Sequence, residues 1–219
     1  MSNVYLSHRA GKPLLKWLRD NGYTPVIIND TDGVYDAVSS HADIYMCKMG
    51  ISADSALFKC DFEELGYSYP NNICYNAVAL NKYFIHNFKH TSKRLLSYAK
   101  EHGFELIDVK QGYTKCSTVI VDGSSVITSD EGIVKALSRY NDIDVLKVKS
   151  GYVKLIGFEY GFLGGTSGRV GNTVLFNGDL SAHPDFDIII KFITEKGLEV
   201  KYFEEYPLED IGSIIESVF

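Results

Sequence analysis

Three short stretches of this 219-residue chain set chemically capable side chains at suggestive spacings. In Ser40-His41-Ala42-Asp43, which leads into an apolar run, a strand's two-residue period would put His41 and Asp43 on one face, so that both could address one ligand. Read alone, His41 serves equally well as a strand-end cap or a solvated side chain. Gly164-Gly165-Thr166-Ser167-Gly168 offers backbone N–H groups and two hydroxyls, a set suited to a carboxylate or phosphate, or to a plain turn. His183-Pro184-Asp185 precedes a helical pattern, where Asp185 or Asp187 suits a helix cap and His183 is a secondary site candidate. The cysteines, Cys47, Cys60, Cys74 and Cys116, show no CxxC and no paired-histidine spacing, so they read as free thiols in a reducing cytoplasm, with no metal expected.

The elements that must position these groups follow from a repeat. Amphipathic helices closing in Gly or Asn run into short apolar strands four times: 14–22 into 24–28, 95–103 into 105–109, 133–141 into 144–148, and 189–197 into 199–203. Hairpins precede the better copies: 118–121 turns through Asp122-Gly123 into 125–128, 77–80 turns into 83–86, and 173–176 turns through Asn177-Gly178 into 180–181. A helix-poor unit falls at 43–49 and 56–60. The unit is strand–strand–helix–strand, near forty residues, in five copies at approximately 1–30, 31–70, 71–110, 111–150 and 151–219 of one domain. Such a unit cannot bury its apolar face alone, so the copies pack on one another, and five closing into a ring would leave no free edge. Residues 208–218 read as a short amphipathic helix, and 50–72 as a lid or an elaborated loop.

Composition narrows the function classes. Twenty-two basic against 28 acidic residues give a net charge of −6, which argues against nucleic-acid and anionic-membrane partners. The N-terminus lacks a basic region followed by a long apolar core, and no apolar run approaches the length of a membrane span, so a cytoplasmic location is expected.

Five-fold arrays of strand–strand–helix–strand units resemble the pentein fold, an α/β propeller around a pseudo-five-fold axis. That fold serves guanidino-group-modifying enzymes (arginine and agmatine deiminases, dimethylarginine hydrolases, amidinotransferases) and a non-catalytic ribosome anti-association factor. Gly112-Tyr113-Thr114-Lys115-Cys116-Ser117 and Gly161-Phe162-Leu163-Gly164-Gly165-Thr166-Ser167-Gly168 are similar to segments of a small uncharacterised branch of this group. The resemblance implies Cys116 as nucleophile, opening a strand, although a small core residue fits the same position. It implies His41, or secondarily His183, as proton carrier and Asp43 as an anchor for a substrate nitrogen. No metal or organic cofactor is implied. Leu163 and Thr166 stand where the enzymes carry carboxylates, which weakens an arginine-like substrate, because a guanidinium calls for a carboxylate fork. Glu159 lies near, and Gly164, Gly165, Thr166 and Ser167 remain as substrate-binding candidates. The expected function is a Cys116-dependent hydrolase or transferase acting on a guanidine-, amidine- or amide-like small molecule. The alternative is a non-catalytic small-molecule binder or an interaction module, including a ring that docks another protein through aromatic residues.

Overall fold

The computed structural model describes residues 2–61 and 64–219. Each of the four long helices buries one i, i+4 pair: Leu14 and Leu18 in α1 (Lys12–Asp20), Leu95 and Ala99 in α3 (Lys93–Glu101), Ile133 and Leu137 in α4 (Glu131–Leu137), Ile189 and Ile193 in α5 (Phe186–Thr194). That spacing puts two apolar side chains on a single stripe, which is enough to seat a two- to three-turn helix on a sheet. Gly22, Gly103 and Gly197 follow three of these helices with φ of 81°, 73° and 73°, a left-handed geometry that favours glycine.

Each long helix links two parallel strands. α1 joins β1 (Asn3–Ser7) to β2 (Thr24–Ile28), and α3 joins β6 (Tyr83–His86) to β7 (Glu105–Asp108). α4 joins β9 (Ser125–Thr128) to β10 (Asp144–Lys147), and α5 joins β12 (Thr173–Phe176) to β13 (Glu199–Lys201). An antiparallel strand flanks the other side of each: β5 (Val78–Ala79) on β6, β8 (Thr118–Ile120) on β9, and β11 (Ser167–Val170) on β12. The helix-poor unit is the antiparallel pair β3 (Met46–Lys48) and β4 (Leu57–Lys59), preceded by the one-turn helix α2 (Ala42–Tyr45). Among the described residues the strands thus form five small sheets.

The hydrophobic core is divided among the joints between these sheets. Val119 and Ile127 meet Val174 and Phe176, while Val170 and Leu175 meet Val4 and Leu6. Tyr5 and Ile215 meet Met46, and Cys47 meets Ala79 and Phe84. Val78 and Ile85 meet Val126 and Ile133. Every sheet therefore shares an apolar cluster with two others. Burying one Leu, Ile or Phe contributes about 2 kcal/mol, so these joints, rather than any single sheet, hold the molecule together. Among the described residues no helix is long and apolar enough to cross a membrane.

Three expectations are corrected. Residues 208–218 form no helix: β14 (Ile215–Ser217) pairs antiparallel with β1 and completes the first sheet. Gly212 and Ser213, at φ 71° and 70°, cannot belong to a right-handed helix, and the open edge of β1 supplies the pairing that outweighs the amphipathic pattern. The hairpin partner of β12 is β11, across Gly171-Asn172 with Gly171 at φ 56°, whereas residues 180–182 form a single 3-10 turn leading to α5. Finally, His41 precedes α2 and Asp43 lies within it, so the two are not related by a strand period. Of the 50–72 stretch, residues 62 and 63 lie outside the described residues. The rest packs on its neighbours: the Glu64 carboxylate accepts from Tyr75 and Ser92, and Tyr69 tilts against Tyr113.

Candidate active site

Cys116 does not open a strand as expected but sits in the turn of residues 114–117 just before β8, in a loop anchored from two directions. The Asn76 side-chain carbonyl accepts from the backbone N–H groups of Lys115 (2.8 Å) and Cys116 (3.2 Å). Its amide nitrogen donates to Cys116 Sγ (3.4 Å) and to the Asp43 carbonyl (3.3 Å). Farther back, the buried His86 ring reaches the Gly112 carbonyl at 3.1 Å, and burial holds its pKa down to about 4. The loop is thus set by a neutral amide and a neutral imidazole.

α2 and the residue before it bring Asp43 and His41 to the thiol. Cys116 Sγ–H donates to Asp43 Oδ2 at 3.0 Å, and Ser213 Oγ–H donates to the same oxygen at 2.6 Å. Lys115 Nζ in turn donates to Ser213 Oγ at 3.0 Å. The ligand atoms of His41, Asp43 and Cys116 all lie within 4.8 Å of one another, and all three residues are buried. Asp210, also buried, stands 3.9 Å from His41 Nδ1 and accepts from the N–H groups of Phe162 (2.9 Å) and Gly212 (3.0 Å). Both His41 ring nitrogens and Asp43 Oδ1 have no hydrogen-bond partner among the described residues. Buried polar atoms are nearly always satisfied, so these three call for a water or another group to pair with them.

The electrostatics agree. Burial, followed by the carboxylates of Asp43 and Asp210, pushes the Cys116 thiol well above its ordinary pKa. Burial raises Asp210 as well. Cys47, Cys60 and Cys74 are also raised, chiefly by burial, but they lie in ordinary packing. A thiol flanked by carboxylates is disfavoured as thiolate, and a positive charge placed beside it acts in the opposite direction.

Above the thiol lies a cavity of about 160 Å³ with Cys116, His41 and Asp210 in its lining and aromatic walls from Tyr35, Tyr113 and Phe158. Tyr35 and Tyr113 share a hydrogen bond between their hydroxyls (2.9 Å). Phe158 and Tyr160 belong to an exposed segment, so the outer wall is apolar and open to solvent.

The sequence-based candidates fall into two groups. Cys116, His41 and Asp43 come together. Gly164 and Gly165 lie behind them as backbone: Gly165 N–H donates to the Cys116 carbonyl, and a Cβ on Gly165 would stand 1.9 Å from Asp210 Oδ1. The anion-binding role expected for this loop has no free hydroxyls to draw on, because Thr166 Oγ donates to the Leu163 carbonyl and Ser167 Oγ to the Gly164 carbonyl. Glu159 is exposed and is absent from the cavity lining. His183 sits before α5 with Nε2 against the Lys149 carbonyl and Nδ1 accepting from Asp185 N–H, a local clasp outside the cavity. Asp185 occupies the N-cap position of α5, but its carboxylate accepts from Lys149 N–H rather than from the helix. Sequence reasoning missed Asp210, Ser213 and Asn76. Gly212-Ser213 was the available signal for the first two, since a glycine beside polar residues breaks the helical pattern there.

Comparison with known proteins gives a family and remote structural likenesses. No curated protein matches. Among solved structures, the N-terminal domain of ArgZ, covalently bound to a reaction intermediate, aligns at 10% identity over 94% of this chain and 76% of its own, with a TM-score of 0.39. SxtG, an amidinotransferase from Microseira wollei in the saxitoxin biosynthetic pathway, aligns at 12% identity over 88% of this chain, with a TM-score of 0.38. The chain spans 55% of the length of SxtG. Residues 53–215 match the profile of DUF6873, described as a family of unknown function. That match covers most of the chain, and the protein belongs to the DUF6873 family.

Proposed function

We propose that this protein is a Cys116-dependent enzyme that acts on the carbon of a cationic amidine- or guanidine-like group, within a pentein-type ring of five units. The observation that carries the reading is the buried cluster of Cys116, His41 and Asp43 within 4.8 Å, backed by the second carboxylate of Asp210. The cyclic sharing of apolar clusters among five sheets supports the ring. The carboxylates missing at 163 and 166 are compensated by Asp210, which reaches the same loop from a later segment.

The chemistry follows from the charges. An amidinium entering the cavity pairs with Asp43 and Asp210 and offsets the two charges that suppress thiolate formation. Cys116 then loses its proton to His41, and the sulfur forms a bond to the amidine carbon. The bond from that carbon to its departing nitrogen breaks as His41 returns the proton to the leaving amine. Water, or an acceptor amine, next adds to the carbon, and the C–S bond breaks to restore the thiol. Hydrolase and transferase differ only in that last nucleophile. The exposed rings of Phe158 and Tyr160 suit an apolar or aromatic extension of the substrate.

The test is labelling of Cys116 by 2-chloroacetamidine against its neutral isostere 2-chloroacetamide, read by mass spectrometry of the intact chain and its peptides. The cationic reagent should label Cys116 at least about 10-fold faster, matching a shift of one or more pKa units by an opposite charge nearby. Equal or slower labelling by the cation would overturn the reading and leave Cys116 as a core residue beside a binding cavity.

A further inference from the structure

The chain neighbour of Cys116 opens onto a different cavity. Lys115 lines a small enclosure of about 40 Å³ together with Lys48 and Arg169, and its remaining walls include Cys47, Ile120 and Ile214. None of the residues that line it is acidic. Lys48 Nζ has one long bond, to the Ile51 carbonyl (3.4 Å), and Lys115 Nζ reaches the Ser213 hydroxyl. Among the described residues Arg169 donates to the carbonyls of Gly171 (3.2 Å) and Val121 (3.5 Å). Among the described residues none of the three stands within 4.0 Å of a carboxylate. The nearby Glu216 accepts from the Gly171 N–H at 2.8 Å and acts on Lys48 from beyond contact distance.

Three cations gathered at one small, partly open pocket with no carboxylate in contact are costly. Long basic side chains normally turn their heads to water or pair with a carboxylate when buried. Burial here is strong enough to pull Lys48 down to about 8 and Lys115 down as well, although Glu216 acts against it on Lys48 and Asp43, one hydroxyl away through Ser213, acts against it on Lys115. The arrangement is relieved by one negative charge placed among the three. The enclosure holds roughly three water-sized bodies, which limits the guest to a few heavy atoms, and its walls between the cations are aliphatic. A compact anion with a small apolar end fits both features.

We infer that the enclosure formed by Lys48, Lys115 and Arg169 is a binding site for a small carboxylate of acetate size, separate from the cavity that holds Cys116. The carboxylate oxygens meet the two ammonium groups and the guanidinium, and the methyl end lies against the aliphatic walls. The site needs no turnover at Cys116 and stands or falls independently of the proposed reaction.

The test is thermal unfolding of the full chain in sodium acetate and in sodium chloride at matched ionic strength, repeated for Lys48→Met and Arg169→Gln. At about 20 mM acetate the wild type should melt about 3 °C higher than in chloride. The difference should vanish in Lys48→Met and shrink in Arg169→Gln. Arg169, being partly exposed, keeps the test usable should Lys48→Met fold poorly. Line broadening of [1-13C]acetate on adding protein, lost in the same variants, reads occupancy directly. Equal shifts in acetate and chloride, no shift in either, or a shift and broadening that survive in both variants would overturn the assignment.

Discussion

Lys115 and Cys116 are consecutive residues, yet they line cavities of opposite sign. Around Cys116 stand Asp43 and Asp210, and around Lys115 stand Lys48 and Arg169. Burial pushes the groups on both sides toward their neutral forms: the thiol and Asp210 upward, the lysines downward. Like charges collected out of water destabilise a fold unless a ligand of opposite sign relieves them. Under the two proposals above, the cavities differ in the charge they take, an amidinium in one and a carboxylate in the other. Ser213 ties them together, since it takes a hydrogen bond from Lys115 and gives one to Asp43.

The largest effect that would sharpen this contrast lies on the acidic side. Asp43→Asn should lower turnover of an amidine substrate by about 10³-fold, within the usual range for acid–base and electrostatic groups. The same change removes a carboxylate that suppresses the thiolate, so labelling of Cys116 by neutral iodoacetamide at pH 8 should become faster. If both rates fell together, Asp43 would be a scaffold residue and the contrast of sign would lose its meaning. Next comes the backbone that closes the acidic side. A Cβ on Gly212 would stand 2.1 Å from His41 Cβ, and its φ of 71° disfavours any L side chain. Gly212→Ala should cost about 3–4 kcal/mol in urea unfolding.

The loop that carries both Lys115 and Cys116 offers a pH handle. His86 has a folded pKa of about 4 against an ordinary 6.5, so its stabilising neutral form is fully present above 6.5. That contribution is lost as pH falls through 6.5 toward 4, and amounts to about 3 kcal/mol at most. Stability measured across this window should fall in the wild type and fall less in His86→Gln. An unchanged slope would show that the loop does not depend on the neutral ring. The smallest effect belongs to the basic side. Lys48 has a folded pKa of about 8 against 10.5, so it carries a burden that grows as pH drops through that interval. Lys48→Met should therefore raise stability at pH 7 by about 1 kcal/mol, net of the lost bond to Ile51. A loss of stability there would mean that the cations are balanced within the protein.

Much of this architecture is legible in the sequence because the repeat is local. Leu14/Leu18, Leu95/Ala99, Ile133/Leu137 and Ile189/Ile193 announce the helices, and Asp122-Gly123 announces a hairpin, without reference to anything distant. Cys116 and the His41–Asp43 pair are visible as motifs, although the strand expected for the pair is a single helical turn. What escapes the sequence is whatever depends on another unit. β14 has a helical pattern and becomes a strand because β1 lacks a neighbour. Asp210 lies 47 residues beyond the loop that it holds through Phe162 N–H (210 − 163 = 47). Asn76 looks like any turn asparagine until the two ends of its amide are seen to knit Cys116, Lys115 and Asp43 together.

The pairing of β14 with β1 joins residues 214 positions apart, as in Asn3 with Ser217. Until the later segment arrives, the early strand shows a bare hydrogen-bonding edge, a template for clumping with other nascent chains. The same late arrival delivers Ser213 to Asp43 and Asp210 to His41. A half-made molecule therefore has neither a covered β1 edge nor an assembled thiol environment, and reactivity at Cys116 becomes a gauge of whether the two ends of the chain have met.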